Sequence, residues 1–141
     1  MSHVLNFISR VCMSAVFVAF GLTKLLHPEG VANSGATKRL LALVTPGSPM
    51  PIWFGYLIGA IEFLGGIAII LGIKTRLVAW LFVIYLILIT YFGHPFWATG
   101  EAADKGNFYK NLAIIGAFLM LAVQGGGTHS VDSRMSGARQ V

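Results

Sequence analysis

The chain has 141 residues, of which 56% are hydrophobic and only 11% are charged, and its mean hydropathy is +0.77. Soluble domains carry about 25% charged residues, so this chain lacks the polar residues needed to cover a surface in water. The composition excludes a soluble globular protein and predicts an integral membrane protein of one domain. The net charge of +5 does not indicate nucleic-acid binding, because the basic residues are scattered between apolar runs and form no patch or motif.

Four apolar runs have about the length that a helix needs to cross a bilayer. Such runs must be helical in lipid, because their backbone groups have no water to bond there. Proline or glycine marks the ends of several runs, as at Pro28, Gly72 and Pro95. We therefore predict an all-α, four-helix membrane bundle over residues 1–124, with spans at about residues 4–26, 51–71, 77–94 and 108–124.

The segments outside the spans carry most of the polar residues. Within the longest loop, TKRLLALV predicts a short interfacial helix capped by Thr37. The tail, residues 125–141, is rich in glycine and serine at its start, and we expect it to be polar and mobile. Four spans place both termini on one side of the membrane. The lysines and arginines outside the spans favour the cytoplasm for that side.

Glu62 is the only residue with a formal charge between Pro51 and Ile73. A carboxylate in the middle of a span must be paired, neutral or close to water, because an isolated charge there is costly. Helical spacing puts Glu62 on one face with three glycines, and this face favours close approach of another helix. Glu62 is accordingly predicted to point at a neighbouring helix, as the candidate catalytic residue or as half of a structural ion pair with Lys24 or Arg10. The glycines are Gly55, Gly59 and Gly66.

The other spans also align polar residues at helical spacing. The predicted inward faces are Arg10, Ser14, Phe17, Gly21 and Lys24 in the first span; Trp80, Ile84, Ile87, Tyr91 and His94 in the third; and Lys110, Ile114, Ala117, Leu121 and Gln124 in the fourth. Together they predict a polar interior, with ligand-binding candidates Lys24, Glu62, His94, Lys110, Asn111, Trp97 and Arg10.

Each candidate also has a plainer interpretation. Lys24, Lys110 and Arg10 are long cations that can snorkel to the head groups, and for Arg10 we favour snorkelling. His94 suits a membrane interface as well as a ligand contact, and Trp97 suits an aromatic belt.

The sequence contains no motif for several common kinds of chemistry. The single cysteine, Cys12, excludes an internal disulfide and a CxxC pair. One histidine and one carboxylate within the spans are too few for a metal site. GAIEFLGG does not match a nucleotide-binding loop. The sequence thus shows no redox centre, metal site or nucleophile constellation, and whether the protein is an enzyme stays open.

The order of short motifs along the chain resembles the DoxX family of small bacterial membrane proteins. These are R-x13-K with GLTKL in the first span, MP before the second, IEFLGGIAIILGIKTRL through the second and its turn, HPFW at the end of the third, and NFYKNLAIIGAFLML in the fourth. The resemblance implies a four-helix bundle in the bacterial inner membrane. It also implies an association with membrane redox systems, because the family is named for a subunit associated with thiosulfate:quinone oxidoreduction.

Two hypotheses follow for function. In the first, the polar interior is a pocket for a quinone or a lipid-like ligand, with no built-in cofactor. Lys24, His94 or Lys110 would then donate to the head group, and Glu62 would exchange a proton with it. In the second, the chain is a non-catalytic accessory subunit that binds other membrane subunits, and its polar cluster is a structural ion-pair network. A small transporter is a weaker alternative, because no inverted repeat or broken helix is visible.

Overall fold

The computed structural model describes residues 2–44 and 50–137, and within these ranges the chain is helical with no strand. The four long helices are α1 (Ser2–Leu26), α4 (Ile52–Leu71), α5 (Thr75–Gly93) and α7 (Ala102–Gln124), and the four short ones are α2 (Pro28–Ala32), α3 (Gly35–Val44), α6 (Phe96–Thr99) and α8 (Val131–Gly137). The long helices are apolar and long enough to cross a membrane. The predicted all-α membrane bundle is thereby confirmed.

The helix boundaries agree with the predicted spans except at the start of the fourth. There α7 begins at Ala102, six residues before the predicted start, because the alanines of its polar first turn also favour a helix. The predicted short helix of the longest loop is present as α3. Its cap is Ser34 and not Thr37, because the Thr37 N–H donates to the Ser34 hydroxyl at 3.2 Å.

The first two long helices, α1 and α4, pack closely along their glycine faces. A Cβ atom added to Gly21 would lie 2.5 Å from the backbone nitrogen of Phe63, and one added to Gly59 would lie 3.0 Å from that of Leu25. These distances leave no room for a side chain. The face predicted for α4 is buried, and that of α1 is buried apart from Lys24, which is half-buried.

The helices α5 and α7 form the second pair, and a core of aromatic rings joins it to the first. The rings of Phe17, Phe82 and Phe118 have centroids 4.5–5.5 Å apart. The prediction for the inward face of α5 is wrong. The large residues of the predicted stripe, Trp80, Ile84, Ile87 and Tyr91, are exposed, and the buried side chains of α5 are Thr75, Ala79, Phe82, Val83, Leu86 and Thr90. The prediction for α7 is also wrong at Lys110 and Gln124, which are exposed.

The start of α1, the turn from Gly72 to Lys74 and residues 125–137 lie together at what we call the terminal end of the bundle. Helices α2, α3 and α6 lie at the opposite, loop end. Glycine in the left-handed conformation ends α4, with the N–H of Ile73 donating to Ala68 at 2.9 Å and that of Gly72 to Ile69 at 3.1 Å. This pairing satisfies carbonyl groups that a helix end would otherwise leave unbonded.

Composition predicts a mobile tail, whereas the structure gives residues 125–137 defined contacts. The carboxylate of Asp132 accepts hydrogen bonds from the N–H of Lys74 at 2.7 Å and from the N–H and hydroxyl of Thr75 at 2.8 Å. Asp132 therefore caps the start of α5. Burial raises the pKa of Asp132, but the bonds from Thr75 and Lys74 lower it more, and the net pKa lies below its usual value. Residues 138–141 lie outside the described part.

Candidate functional site

Glu62 lies in the second long helix and is 4% exposed. The glycines on its face bring α1 close enough for Lys24 to reach it. The Lys24 Nζ atom lies 2.5 Å from both carboxylate oxygens. The side chain of Lys24 is 28% exposed and that of Glu62 only 6%, so the lysine is the more accessible partner. Glu62 therefore points at a neighbouring helix, as predicted, and its partner there is the cation Lys24 of α1.

Tyr85 is the third member of the cluster, and sequence reasoning missed it. Its hydroxyl donates to the Oε1 atom of Glu62. The spacing of Glu62 and Tyr85 from the turn between α4 and α5 is a signal that could have identified Tyr85. Glu62 lies ten residues before Gly72, and Tyr85 lies eleven residues after Lys74. Because α4 and α5 are antiparallel neighbours, these spacings place both residues at the same depth. We call Lys24, Glu62 and Tyr85 the carboxylate cluster.

The carboxylate cluster combines one negative charge, one positive charge and a neutral donor. The two donors meet the need of a buried carboxylate for a cation and for hydrogen bonds. The cluster is neutral as a whole, which is the form in which charged residues tolerate the interior of a bilayer. It holds α1, α4 and α5 together, and its phenol and ammonium groups are donors that a ligand can share.

A cavity of about 600 Å³ adjoins the carboxylate cluster on the loop-end side. Its lining comes from α1 to α5 and includes Lys24, Tyr85 and His94. Most of the remaining wall is apolar, with Phe20, Val31, Leu40, Phe54, Ile58, Leu88, Ile89 and Phe92. Glu62 is not part of the lining but contacts it through Lys24 and Tyr85. We call this space the loop-end cavity.

His94 lies at the end of α5 and is held by residues of the following segment. Its Nδ1 atom is 3.2 Å from the Oδ1 atom of Asp104. The other carboxylate oxygen of Asp104 accepts from the Thr99 hydroxyl at 2.8 Å. Arg39 of α3 donates to the carbonyl of Phe92 at 2.9 Å. These bonds connect the segments of the loop end around His94, which lines the loop-end cavity.

Three predicted residues lie elsewhere in the bundle. Asn111 donates to the Thr90 hydroxyl at 3.0 Å between α7 and α5. Lys110 is exposed and donates to the Asn107 side chain of its own helix at 2.8 Å. Trp97 is 54% exposed and packs in a cluster of aromatic rings, 5.7 Å from that of Tyr91. None of the three predicted residues lines the loop-end cavity.

Arg10 lies at the terminal end and is 0% exposed, so the expectation that it snorkels to the surface is wrong. Its guanidinium donates to the carbonyls of Ile69 at 3.1 Å and Ile70 at 2.8 Å, and also to the carbonyl of His129. These acceptors are the last carbonyls of α4 and one from the segment after α7. Arg10 therefore joins three parts of the chain, well away from the carboxylate cluster.

Comparison with known proteins identifies similar membrane proteins. The family described as DoxX matches residues 5–95. The chain is 35% identical over 134 residues to the inner membrane protein YphA of Escherichia coli K12, covering 93% of this chain and 90% of YphA. It is 31% identical over 125 residues to the inner membrane protein YqjF of the same organism, covering 89% and 87% of the two chains. No solved structure matches.

Proposed function

Because the chain belongs to the DoxX family, we propose that it is an inner membrane protein that binds a quinone-like ligand in the loop-end cavity, as part of a membrane redox system. One observation carries the proposal. The largely apolar wall of the cavity includes Lys24 and Tyr85, the two donors that also contact the buried carboxylate of Glu62. Both termini would face the cytoplasm, which places the cavity toward the opposite side.

The size and chemistry of the loop-end cavity suit such a ligand. Pockets for small molecules range over about 300–1,000 Å³ and combine apolar walls with a few polar groups, and this cavity measures about 600 Å³. A quinone has an apolar body and carbonyl oxygens that accept hydrogen bonds. The ammonium of Lys24 and the phenol of Tyr85 are donors suited to one carbonyl. His94 lies elsewhere in the wall and suits another.

Glu62 would act through Lys24 and Tyr85, without contacting the ligand directly. A bound carbonyl that accepts from Tyr85 competes with the carboxylate for the phenolic proton. Binding therefore changes the hydrogen bonding of Glu62, and Glu62 can exchange a proton with the ligand through Tyr85. In this proposal Glu62 positions the two donors and balances the positive charge of Lys24.

A second candidate function is that of an accessory subunit of a larger membrane complex. The observation that favours it is that the Glu62 carboxylate already has a cation and a phenol as partners within the chain. The carboxylate cluster would then be structural, and the outer faces would bind other subunits. This candidate predicts that removal of a donor changes stability without changing any ligand affinity.

The test measures binding of a short-chain benzoquinone to the purified protein in nanodiscs. Tyr85→Phe and Lys24→Met each remove one donor. Tyr91→Phe and Lys110→Met are matched controls, because these side chains lie outside the cavity lining. One hydrogen bond to a ligand contributes about 1–2 kcal/mol, so we expect each cavity variant to bind about tenfold more weakly and both controls to bind normally. Equal affinity in all five proteins would refute the pocket.

A cavity-filling variant separates the two candidate functions. Ala36 lies in the wall on α3, and Ala36→Phe adds a ring without altering the carboxylate cluster. If the pocket is functional, this variant loses quinone binding while its unfolding midpoint stays near that of the parent. If the variant binds quinone as the parent does, the ligand lies outside the loop-end cavity and the accessory candidate is favoured.

A further inference from the structure

A second cavity, of about 570 Å³, lies at the terminal end of the bundle. It opens between the start of α5, the end of α7 and the segment that contains α8. Its lining includes Lys74, Arg76, Leu77, Gly126, Gly127 and Met135. The loop-end cavity is at the other end of the bundle and shares no lining residue with it.

Positive charge dominates this terminal-end cavity. Lys74 and Arg76 are exposed, and neither forms an ion pair with a carboxylate within residues 2–44 and 50–137. Asp132 also lines the cavity. Its carboxylate, however, already accepts hydrogen bonds from the backbone of Lys74 and from Thr75. The two basic side chains are therefore available to an anion.

Backbone donors add to this charge. Gly126 is buried, and Gly127 has a positive φ of 70°. Neither N–H donates to an acceptor in the part of the chain that the structure describes. The N–H of Gly126 is a case that folded proteins rarely leave without an acceptor, because the residue is buried, whereas Gly127 is exposed and its N–H is open to a ligand. These donors, in a wall that also contains two cations, indicate a ligand that is anionic and rich in acceptor oxygens.

The position of the cavity identifies the source of the anion. The membrane-crossing segments of α5 and α7 end here, at Thr75 and Gln124, which is where phospholipid head groups lie. Leu77 is 55% exposed and Met135 61% exposed, and both offer apolar surface beside the two cations. We infer that the terminal-end cavity binds the phosphate group of an anionic phospholipid, with Lys74, Arg76 and the Gly126–Gly127 backbone as its donors.

The test uses native mass spectrometry of the full chain, reconstituted with equal amounts of phosphatidylglycerol and phosphatidylcholine. The variant combines Lys74→Asn with Arg76→Gln. Asparagine is chosen because Lys74 has a φ of 45°, which asparagine tolerates better than most residues. The matched control combines Lys38→Gln with Lys105→Gln, which removes the same charge from exposed positions of α3 and α7.

We expect the parent and the control to retain phosphatidylglycerol in preference to phosphatidylcholine. The double variant should retain it about 25-fold less, since each basic residue near a membrane surface contributes about fivefold. If the double variant does not fold, the single variant Arg76→Gln tests the inference, and it should retain about fivefold less phosphatidylglycerol than the parent. Equal retention of the two lipids by the parent, or undiminished retention by the variant, would overturn the inference.

An arm with inorganic phosphate distinguishes a lipid from a free anion. Millimolar phosphate should leave the retained phosphatidylglycerol in place, because the lipid also contacts apolar surface beside Leu77 and Met135. Complete displacement by phosphate would overturn the lipid assignment and indicate a site for the free ion.

Discussion

Removing either partner of the Lys24–Glu62 pair should lower the unfolding free energy, but by unequal amounts. Glu62 is 4% exposed, whereas the Lys24 side chain is 28% exposed and borders the loop-end cavity. Removing one partner of a buried ion pair costs about 3–5 kcal/mol, because it leaves the other charge buried and unpaired. In Glu62→Gln the remaining ammonium can turn toward the cavity, so the loss should be near 3 kcal/mol. In Lys24→Met the carboxylate retains only Tyr85, and the loss should be near 5 kcal/mol.

The double variant completes this prediction. Lys24→Met with Glu62→Gln removes both charges, so the protein should recover at least about 2 kcal/mol of unfolding free energy relative to Lys24→Met alone. Equilibrium unfolding in a denaturing detergent, followed by tryptophan fluorescence, measures all four proteins. Glu101→Gln with Lys105→Met is a control, because both residues are exposed. It should change the unfolding free energy by less than about 0.5 kcal/mol.

Two results would refute the reasoning. One is a double variant whose loss equals the sum of the two single losses, because a pair that interacts cannot be additive. The other is a larger loss for Glu62→Gln than for Lys24→Met, because that order would mean the ammonium, and not the carboxylate, is the poorly solvated partner.

Two further predictions concern packing and pH. Gly21→Ala places a Cβ 2.5 Å from the Phe63 nitrogen and should lower the unfolding free energy by about 2–3 kcal/mol, while Gly116→Ala, which meets nothing within 4 Å, should not lower it in the same detergent titration. Burial raises the pKa of Asp132 but hydrogen bonds, chiefly from Thr75, lower it more, so its contribution to stability is complete at neutral pH and is lost as the pH falls below about 4 through that lowered pKa. The protection factor of the Thr75 amide, which corrects its exchange rate for the intrinsic effect of pH, should fall over that range in the parent, whereas an unchanged protection factor, as expected for Asp132→Asn, would contradict the capping role.

The sequence predicts the faces of α1 and α4 correctly for a physical reason. Charged residues are costly on a lipid-facing surface, and glycines allow close helix packing only at a helix–helix interface. Arg10, Gly21, Gly59 and Glu62 therefore mark the inward side. Their helical spacing then defines two faces that meet. The sequence thus predicted the inward position of Glu62, and an ion pair with a cation of the first span was one of its two interpretations.

The face of α5 could not be found in the same way. Lipid is as apolar as a protein core, so large apolar residues such as Trp80 and Ile84 do not distinguish the outside of the helix from the inside. The polar residues Tyr91 and His94 of the predicted face lie near the interface, where either direction is tolerated. The small polar residues Thr75 and Thr90 were the better markers of the buried face.

The pairing of consecutive spans has a consequence for how the protein is made. Lys24 lies in the first span and its carboxylate partner Glu62 in the second, so a nascent chain that extends to Leu71 already contains both charges. They can enter the bilayer as one neutral unit, before Tyr85 and the aromatic core of the second helix pair are synthesised. Had the partner cation come from the last span, the carboxylate would stay unpaired in lipid until translation was nearly complete. The order of charges along the chain therefore matches the order in which its helices reach the membrane.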